Sequence, residues 1–567
     1  MNTAFRLPVS PSGRLKKIAT TPGGVALGAA LLLATIYNLP FWKRLFALKE
    51  TEIGNHPGFL FAVLVLLTAI FFCFFVLCSY RSILKTVLIV SFILAAIIFY
   101  FCYHYGVVID YSMINNIMET DFHEAKELLS PALFLHLALF AGLPAAIIIK
   151  LPLRWKPSRR QSLTNLALIT SALVVSGATI YGNYQAFALV GRQHRDLRMY
   201  INPTYAIYSL NKYYRIRHTT VTAIKPIATD ATLETNRKHR TLGIFVVGES
   251  ARAANFALNG YRRPTNPELA RRTVISFTRA YASATSTAEA LPCMFSHLTR
   301  ARYSPRKAAG YENILDLLQR LGVSVLWRDN NSSSKGVATR VAYEKLKPSM
   351  IPEKDRAELT GTSEIFDEAL LCNLQEFIDR TRNRDLLIIL HQKGSHGPAY
   401  YQRHPPRFSR FNPEYQGATV EESTRRQLVN AYDNTILYTD HFLARTIEFL
   451  KKNSESFDTF LFYMSDHGES LGEKGIYLHG LPYFMAPDEQ LHIGALLWFS
   501  SRTATDLGID PDKLRQHRKQ RISHDFIFHT LLHLYGVRTR LYDPSLDILL
   551  LPFRRKTLRS ENRQHSG

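Results

Sequence analysis

The chain has 567 residues, of which 47% are hydrophobic, and its formal net charge is +23. This length exceeds what one hydrophobic core accommodates, so we expect at least two domains. The positive charge suits an anionic partner, either a nucleic acid or a membrane with anionic headgroups. The sequence contains no zinc-finger, RNA-recognition or recognition-helix pattern, and we therefore exclude nucleic acid as the partner.

Hydrophobic residues concentrate before about residue 190. Five apolar stretches there are long enough to cross a bilayer. They cover residues 23–42, 58–80, 83–105, 131–150 and 162–187. Basic residues precede the first stretch and occupy the loops after the second and fourth, whereas the loop 106–130 is acidic. The positive-inside rule therefore places the amino terminus in the cytoplasm and the chain after the fifth span outside.

Two further segments have interfacial character. Residues 111–120 mix apolar and polar side chains, as in a short amphipathic helix on a membrane surface. Residues 192–217 interleave tyrosines with basic residues, a composition typical of the headgroup region. We accordingly divide the chain into a transmembrane domain (1–190), an interfacial linker (191–240) and a soluble domain (241–567).

The soluble part alternates short apolar runs with helical patterns. The runs cover residues 242–247, 323–327, 386–390, 459–464 and 495–499, and each is bounded by turn-forming residues. Runs of this length predict buried strands. Their alternation with helices predicts a mostly parallel sheet with helices on both faces.

Polar side chains follow four of these predicted strands. They are Glu249, then Asn331 with Lys335, then His396, and finally Asp466 with His467, while His479 follows a glycine-rich turn. Each has a structural explanation when taken alone, because a glutamate after a strand often begins a helix and a lone histidine often lies in a core or on a surface. Their coincidence favours a site, since the carboxyl ends of parallel strands meet at one sheet edge. Carboxylate oxygen and imidazole nitrogen are ligands that suit zinc.

A candidate nucleophile lies in the run YASATSTAEALPCMF, residues 281–295. A hydroxyl at a helix amino terminus is placed where backbone N–H groups bind anions. The same hydroxyl can instead cap the helix. Spacing does not rank the four candidates, which are Ser283, Thr285, Ser286 and Thr287.

Several strings together resemble one family. They are VVGESARAANFALNGY, STAEALPCMFS, WRDNNSSSKG, KGSHGPAYYQRHPP, YDNTILYTDHF and YMSDHGESLGEKGIYLHG. With them the chain resembles the lipid A phosphoethanolamine transferases, which belong to the alkaline-phosphatase superfamily and include the colistin-resistance transferases. The resemblance covers essentially the whole length. It implies a five-helix transmembrane domain followed by an α/β periplasmic domain like that of alkaline phosphatases and sulfatases.

The resemblance also implies roles for individual residues. Thr287 becomes the nucleophile, and zinc is bound by Glu249, Thr287, Asp466 and His467. His396 and His479 become ligands of a second metal or substrate contacts, which leaves one or two zinc ions open. The residues that would hold the donor headgroup are Asn331, Lys335, Asn115 and Glu119.

The implied activity is a zinc-dependent transfer of phosphoethanolamine from phosphatidylethanolamine to lipid A through a phosphoethanolamine–threonine intermediate. This transfer would reduce the negative charge of the cell surface and confer resistance to polymyxin. The alternative is a phosphoglycerol or phosphoethanolamine transferase acting on another envelope glycan or core sugar. A sulfatase is disfavoured because no Cys-x-Pro-x-Arg string is present. We expect a monomer in the inner membrane of a Gram-negative bacterium, with the catalytic domain in the periplasm.

One departure from the family concerns disulfides. Relatives usually carry several in this domain, one of them flanking the nucleophile loop. Here Cys293 remains, but Ser283 stands where its partner is expected, and Cys372 is the only other cysteine after residue 190. We therefore expect no structural disulfide in the soluble domain.

Three basic clusters could engage an anionic acceptor or simply be solvated: Arg262 with Arg263, Arg515 with Arg518 and Lys519, and Arg554 with Arg555 and Lys556.

Overall fold

The structure, a computed structural model, describes residues 20–50, 57–120, 122–217, 223–234, 237–361, 364–381, 384–417 and 423–552. The helices before residue 220 are α1 (Pro22–Thr35), α2 (Leu39–Phe46), α3 (Pro57–Leu77), α4 (Leu84–His104), α5 (Tyr111–Glu119), α6 (Phe122–Glu127), α7 (Pro131–Leu137), α8 (Leu143–Lys150), α9 (Ser158–Gly182), α10 (Tyr184–Gln193) and α11 (Thr204–Arg217). The later helices are α12 (Thr287–Met294), α13 (Pro305–Ala308), α14 (Ile314–Arg320), α15 (Glu353–Leu359), α16 (Leu374–Arg380), α17 (Arg425–Asn453), α18 (Asp488–Leu491), α19 (Ser501–Asp506), α20 (Pro511–Gln516) and α21 (Asp525–Leu534).

The strands all lie after residue 230 in the described part of the chain. They are β1 (Thr232–Leu233), β2 (Arg240–Gly248), β3 (Ile275–Ser276), β4 (Ala280–Tyr281), β5 (Ser324–Asp329), β6 (Ala342–Lys345), β7 (Leu386–His391), β8 (Phe457–Ser465), β9 (Ser470–Leu471), β10 (Tyr477–Leu478), β11 (His492–Ile493), β12 (Ala495–Phe499), β13 (Ile522–Ser523) and β14 (Val537–Arg538).

The chain forms two compact units. The first takes in the chain up to Tyr103 together with Pro131–Thr204, and the second takes in His104–Ser130 together with the chain from Tyr205 onward. The division at residues 190 and 240 stays a prediction. The structure adds that the segment between the third and fourth predicted spans groups with the sheet-containing unit.

Five helices are long and apolar enough to cross a membrane. They cover Pro22–Phe46, Pro57–Leu77, Leu84–His104, Pro131–Lys150 and Ser158–Gly182, with mean hydropathies from 1.7 to 3.1. The five predicted spans are therefore confirmed, with boundaries that differ by at most five residues. In the first unit, the buried side chain of Asn38 donates a hydrogen bond of 2.8 Å to the Asn202 carbonyl and accepts one of 2.8 Å from the Asn202 backbone N–H, and it so joins segments far apart in the chain.

The second unit is built on a seven-stranded sheet with the order β3-β12-β8-β2-β7-β5-β6. Strands β8, β2, β7, β5 and β6 are parallel neighbours, while β12 runs antiparallel to β8. Every residue of β7 and β8 is buried, which explains the apolar runs 386–390 and 460–464 within them. The mostly parallel sheet with helices on both faces is thereby confirmed.

The register of the central strands brings their carboxyl ends level. Gly248 of β2 lies opposite Ser465 of β8, and Val247 of β2 lies opposite His391 of β7. Residues that follow β2, β7 and β8 consequently emerge at the same edge of the sheet. This alignment positions the candidate site.

Candidate metal and nucleophile site

Three buried side chains meet at this edge of the sheet. Glu249 follows β2, and Asp466 and His467 follow β8. Each offers one ligand atom, and these atoms lie within 4.8 Å of one another. His467 Nε2 is 3.3 Å from Glu249 Oε1 and 3.4 Å from Asp466 Oδ2. The structure thus brings together the three strand-end residues for which zinc coordination was predicted.

Thr287 completes this group from the first turn of α12. The helix begins there because Ser286 keeps an extended backbone, with φ −146° and ψ 148°. The Thr287 hydroxyl donates a hydrogen bond of 3.0 Å to Glu249 Oε2, and its oxygen lies 3.2 Å from His467 Nε2. A hydroxyl, two carboxylates and an imidazole therefore converge in one buried space.

The other three hydroxyl candidates point elsewhere. Ser283 Oγ lies 3.0 Å from His524 Nδ1, and Thr285 Oγ1 donates a bond of 2.6 Å to the Leu481 carbonyl. Ser286 Oγ lies 3.3 Å from Ser112 Oγ. Among the four residues that spacing could not rank, Thr287 is the one whose hydroxyl bonds Glu249.

Hydrogen bonds hold the candidate ligands in place. Glu249 Oε1 accepts from Ser250 Oγ at 2.7 Å, and Glu249 Oε2 accepts from Asn331 Nδ2 at 2.7 Å. Asp466 Oδ1 accepts from the backbone N–H groups of Ser250 and His467. The His467 Nδ1–H donates to the Gly468 carbonyl at 2.8 Å, which leaves Nε2 as the ligand atom.

Close packing of the loop after β7 also fixes Glu249. Gly394 has a φ of +54°, and a Cβ at this position would lie 2.8 Å from the Glu249 carbonyl oxygen. A larger residue would therefore combine an unfavourable backbone with a collision against the ligand-bearing segment.

One orphaned atom tests whether these residues fit a metal. Asp466 Oδ2 is buried and finds no hydrogen-bond donor among the described residues. A buried carboxylate oxygen without a donor is costly, and a cation bound beside it removes that cost. The donor set of carboxylate and hydroxyl oxygens with one imidazole nitrogen fits zinc, which favours four such ligands.

Burial and neighbouring charges shift the pKa values of the two carboxyl groups in opposite directions. Burial raises the pKa of Asp466 to about 6, and the negative charge of Glu249 adds to this rise. Burial would also raise the pKa of Glu249, but the charges of His467, His396 and His479 outweigh it and hold that pKa at about 2. The carboxylates and imidazoles thus balance each other's charge in this confined space.

A second cluster shares His467 with the first. The ligand atoms of His467, Glu469 and His479 also lie within 4.8 Å of one another, and all three residues are buried. Glu469 Oε2 is 2.9 Å from His479 Nδ1, and Glu469 Oε1 accepts a bond of 2.6 Å from the Tyr400 hydroxyl. Burial alone would lower the pKa of His479, but the Glu469 carboxylate raises it to about 9.

Glu469 is a residue that the sequence reasoning missed. It follows the Asp466-His467 pair by two positions, and its position after a strand end was the available signal. His396, which was predicted, has its ring centroid 5.8 Å from that of His479. Burial and the charge of Lys393 lower the pKa of His396 well below its usual value.

The predicted donor-binding residues fall into two places. Asn331 is buried and donates to Glu249 and to the Gln392 carbonyl. Lys335 Nζ donates to the Glu119 carbonyl at 3.2 Å and lies 3.8 Å from Glu119 Oε2. Asn115, Glu119 and Lys335 line a cavity of about 360 Å³ beside α12. Helix α5 therefore contributes to the surroundings of α12.

Comparison with known proteins identifies the family. Residues 241–537 match the sulfatase family, and residues 67–217 match the family described as phosphoethanolamine transferase EptA/EptB. The chain is 36% identical over 549 residues to the phosphoethanolamine transferase EptA of Escherichia coli K12, covering 94% of this chain and 98% of that protein. The chain belongs to the phosphoethanolamine transferase family.

Two further relatives agree with this family assignment. The phosphatidylethanolamine transferase Mcr-1 of Escherichia coli is 36% identical over 528 residues, covering 92% of this chain and 96% of that protein. The solved integral membrane lipooligosaccharide phosphoethanolamine transferase A of Neisseria meningitidis superimposes with a TM-score of 0.87 at 30% identity, covering 93% of this chain and 98% of that one. The resemblance inferred from the short strings is confirmed over nearly the full length.

In the described part of this phosphoethanolamine transferase, helix α12 carries no disulfide. All five cysteines are free in the described part of the chain, including Cys293 and Cys372. Burial raises the pKa of the Cys293 thiol to about 12, against a smaller opposing effect of the Ser283 hydroxyl. Ser283 therefore lies beside Cys293, in the position where a bridging cysteine was expected.

Two of the basic clusters contain structural side chains. Arg263 forms an ion pair of 2.8 Å with Asp433, and Arg515 pairs with Asp512. Arg518 donates to the Leu258 carbonyl at 3.4 Å. The cluster at Arg554, Arg555 and Lys556 lies outside the described residues. Acceptor binding by these clusters stays a prediction.

Proposed function

We propose that this protein transfers phosphoethanolamine from phosphatidylethanolamine to lipid A of lipopolysaccharide. The observation that carries the proposal is the position of Thr287, whose hydroxyl bonds Glu249 and lies 3.2 Å from His467 Nε2. The relatives named as a phosphoethanolamine transferase and a phosphatidylethanolamine transferase support the transferred group. The family member named Kdo(2)-lipid A phosphoethanolamine 7''-transferase acts, by its name, on a related acceptor.

The first half-reaction uses Thr287 as the nucleophile. Its oxygen attacks the phosphorus of the donor, the bond from phosphorus to the diacylglycerol oxygen breaks, and the released oxygen takes up a proton. The product is phosphoethanolamine esterified to Thr287. Because the Thr287 hydroxyl hydrogen points at Glu249 Oε2, the carboxylate orients the hydroxyl and is placed to hold its proton.

Zinc bound by Glu249, Thr287, Asp466 and His467 would lower the pKa of the Thr287 hydroxyl and balance negative charge at the phosphoryl group. The chain's own residues keep this arrangement rigid, since Ser250 and Asn331 hold Glu249 and two backbone N–H groups hold Asp466. His396, Glu469 and His479 would act on the phosphate side, as ligands of a second zinc ion or as polar contacts. Preorganised groups of this kind supply most of the catalysis in phosphoryl transfer.

In the second half-reaction, a phosphate or hydroxyl oxygen of lipid A attacks the phosphorus. The bond from phosphorus to Thr287 Oγ1 breaks, and the threonine oxygen regains its proton. The transferred ethanolamine carries a positive charge, so the modified surface is less anionic. We infer that the protein thereby reduces binding of polymyxin and other cationic peptides.

The proposed location is the inner membrane of a Gram-negative bacterium, with the catalytic domain in the periplasm. The five helices that can cross a membrane support a multi-pass membrane protein, and the loop charges support this orientation. We expect the protein to act as a monomer.

The test compares lipid A by mass spectrometry from cells that express the wild-type chain, the Thr287→Ala variant or neither. We expect phosphoethanolamine-modified lipid A with the wild type alone. Modification of the core sugar or of another envelope glycan in place of lipid A would overturn the proposed acceptor. Phosphoglycerol in place of phosphoethanolamine would overturn the proposed donor.

A further inference from the structure

A cavity of about 360 Å³ opens beside the nucleophile helix, within the range of small-molecule sites. Its walls come from α5, from the residues of α12 that directly follow Thr287, and from the loop that contains Lys335. Helix α5 lies directly against the start of α12, since Ser112 Oγ lies 3.3 Å from the Oγ of Ser286, the residue before α12. The cavity is therefore placed to hold the part of a donor that extends from the reacting phosphorus.

Three glutamates line this cavity, and they differ in how their charges are neutralised. Glu119 lies 3.8 Å from Lys335 Nζ and 3.5 Å from Arg217. Glu312 forms an ion pair of 3.1 Å with Arg320. Glu289, by contrast, is bonded by the Ser112 hydroxyl and forms no ion pair with a cationic side chain of the described residues, which distinguishes it from the other two glutamates.

The surroundings of Glu289 increase its attraction for a cation. Glu289 is buried beside α5, where little water neutralises its charge, and Asp110 adds a second negative charge nearby, while the positive charges of Lys212 and Arg300 act on it from beyond ion-pair distance. Tyr111 and Tyr303 also line the cavity. The Tyr111 ring already holds an ammonium, that of Lys212, 5.0 Å from its centroid, which shows that this aromatic surface accepts such a group.

We propose that Glu289 binds the primary ammonium of the donor's ethanolamine and so selects this headgroup. The inference rests on the proposed function and adds to it a residue that determines specificity. A zwitterionic headgroup is the complement of the cavity, because Lys335 and Glu289 present opposite charges to the same space. Glu119 then acts on the headgroup through Lys335, as a positioning residue.

The experiment uses the full-length protein in detergent micelles and measures diacylglycerol release from two donors. Phosphatidylethanolamine carries the ammonium, and phosphatidylethanol has the same leaving group without it. We expect the wild type to prefer phosphatidylethanolamine. Glu289→Gln should lower kcat/KM for phosphatidylethanolamine by about 10- to 100-fold, the range for loss of a charge-assisted hydrogen bond, and should lower the rate with phosphatidylethanol by a much smaller factor.

Two further variants sharpen the result. Glu289→Asp keeps the charge and should retain part of the preference. Glu312→Gln removes a neighbouring carboxylate that Arg320 already neutralises, and it should leave the preference intact.

The outcomes separate the two proposals. Equal loss of activity toward both donors in Glu289→Gln, an unchanged preference, or no preference in the wild type would each overturn the role of Glu289. Failure of the wild type to release diacylglycerol from phosphatidylethanolamine would instead overturn the proposed function.

Discussion

The side-chain amide of Asn331 donates a hydrogen bond of 2.7 Å to Glu249 Oε2, the same oxygen that accepts from the Thr287 hydroxyl. Asn331 is held in turn by Asp329, whose carboxylate accepts from the Asn331 backbone N–H at 2.8 Å. In this structure Asn331 therefore supports a candidate metal ligand. Its predicted contact with the donor remains a prediction.

Removal of this support should weaken metal binding. In Asn331→Ala, Glu249 loses a donor that fixes its orientation, and loss of such outer partners costs about 10- to 100-fold in metal affinity or activity. Zinc affinity, measured by competition with a chelator, checks the expectation. Ser332→Ala is the matched control, because the backbone N–H of Ser332 is what bonds Asn331 Oδ1. An unchanged affinity in Asn331→Ala would contradict the assigned role.

Loss of the Thr287 hydroxyl should stop donor cleavage. We expect Thr287→Ala to lower diacylglycerol release by at least about a thousand-fold, since no neighbouring group replaces the nucleophile. Thr287→Ser should retain part of the activity. Wild-type protein incubated with phosphatidylethanolamine and no acceptor should carry phosphoethanolamine on the peptide that contains Thr287, as detected by mass spectrometry.

Thr285→Ala is the control for this experiment. Its hydroxyl bonds the Leu481 carbonyl and makes no hydrogen bond with Glu249 or His467. Loss of one such bond costs about 1 kcal/mol of stability and leaves the nucleophile in place. Phosphoethanolamine found on Thr285 or Ser286 would show that the choice of Thr287 is wrong.

The zinc site should depend on one end of β8 and not on the other. Asp466→Ala removes a ligand at the carboxyl end, and we expect zinc per protein to fall well below that of the wild type in elemental analysis. Asp458→Ala removes a carboxylate near the start of the same strand, where it pairs with Arg502 at 3.2 Å. This control should keep its zinc. Full occupancy in Asp466→Ala would refute the assignment.

Reductant should not change the stability of the wild-type protein, because its cysteines are free. Ser283→Cys should create a bridge to Cys293 and stabilise the fold by about 2–4 kcal/mol, a gain that dithiothreitol reverses. Thermal unfolding with and without dithiothreitol measures both effects.

Cys293 in the wild type, with its thiol pKa raised to about 12 by burial, should resist alkylation at pH 8 until the protein unfolds. Rapid alkylation of the native protein would contradict this.

The orientation in the membrane can be tested with a reporter that is active only in the periplasm. A fusion after Gly567 should be active, and an insertion after Lys156 should be inactive because positive charges keep this loop in the cytoplasm. Activity at Lys156, or a stable but inactive fusion at Gly567, would overturn the topology.

The inner strands of the sheet were largely predictable from the sequence because they are buried and contain apolar runs, whereas the edge strands β3 and β6 were not predicted, since β3 has only two residues and β6 is mostly exposed. The direction of β12 was not predictable either, since an apolar run such as ALLWF has the same composition in either direction. The carboxyl-end residues Glu249 and Asp466 followed from their places after strands. Their meeting point depends on the pairing of Gly248 with Ser465, which hydrophobic periodicity does not specify.

The choice among the hydroxyls and the role of Glu469 needed three-dimensional contacts. Thr287 is distinguished by Glu249 and His467, which lie 38 and 180 residues away in the chain. Glu469 meets His479 because the chain turns back between the paired strands β9 and β10. The spacing of residues along the sequence does not show where the chain folds back on itself. Residue types alone therefore left the assignments of Thr287 and Glu469 open.

The grouping of His104–Ser130 with the sheet-containing unit has a practical consequence for anyone who cuts the protein into pieces. A fragment that starts after α11 keeps Glu249, Thr287, Asp466 and His467, yet it lacks the α5 wall of the cavity and the Glu127 carboxylate that binds buried Arg403 at 2.6 Å. An inhibitor screen on that fragment would miss compounds shaped for the cavity between α5 and α12. Drug discovery against this transferase therefore calls for the intact chain.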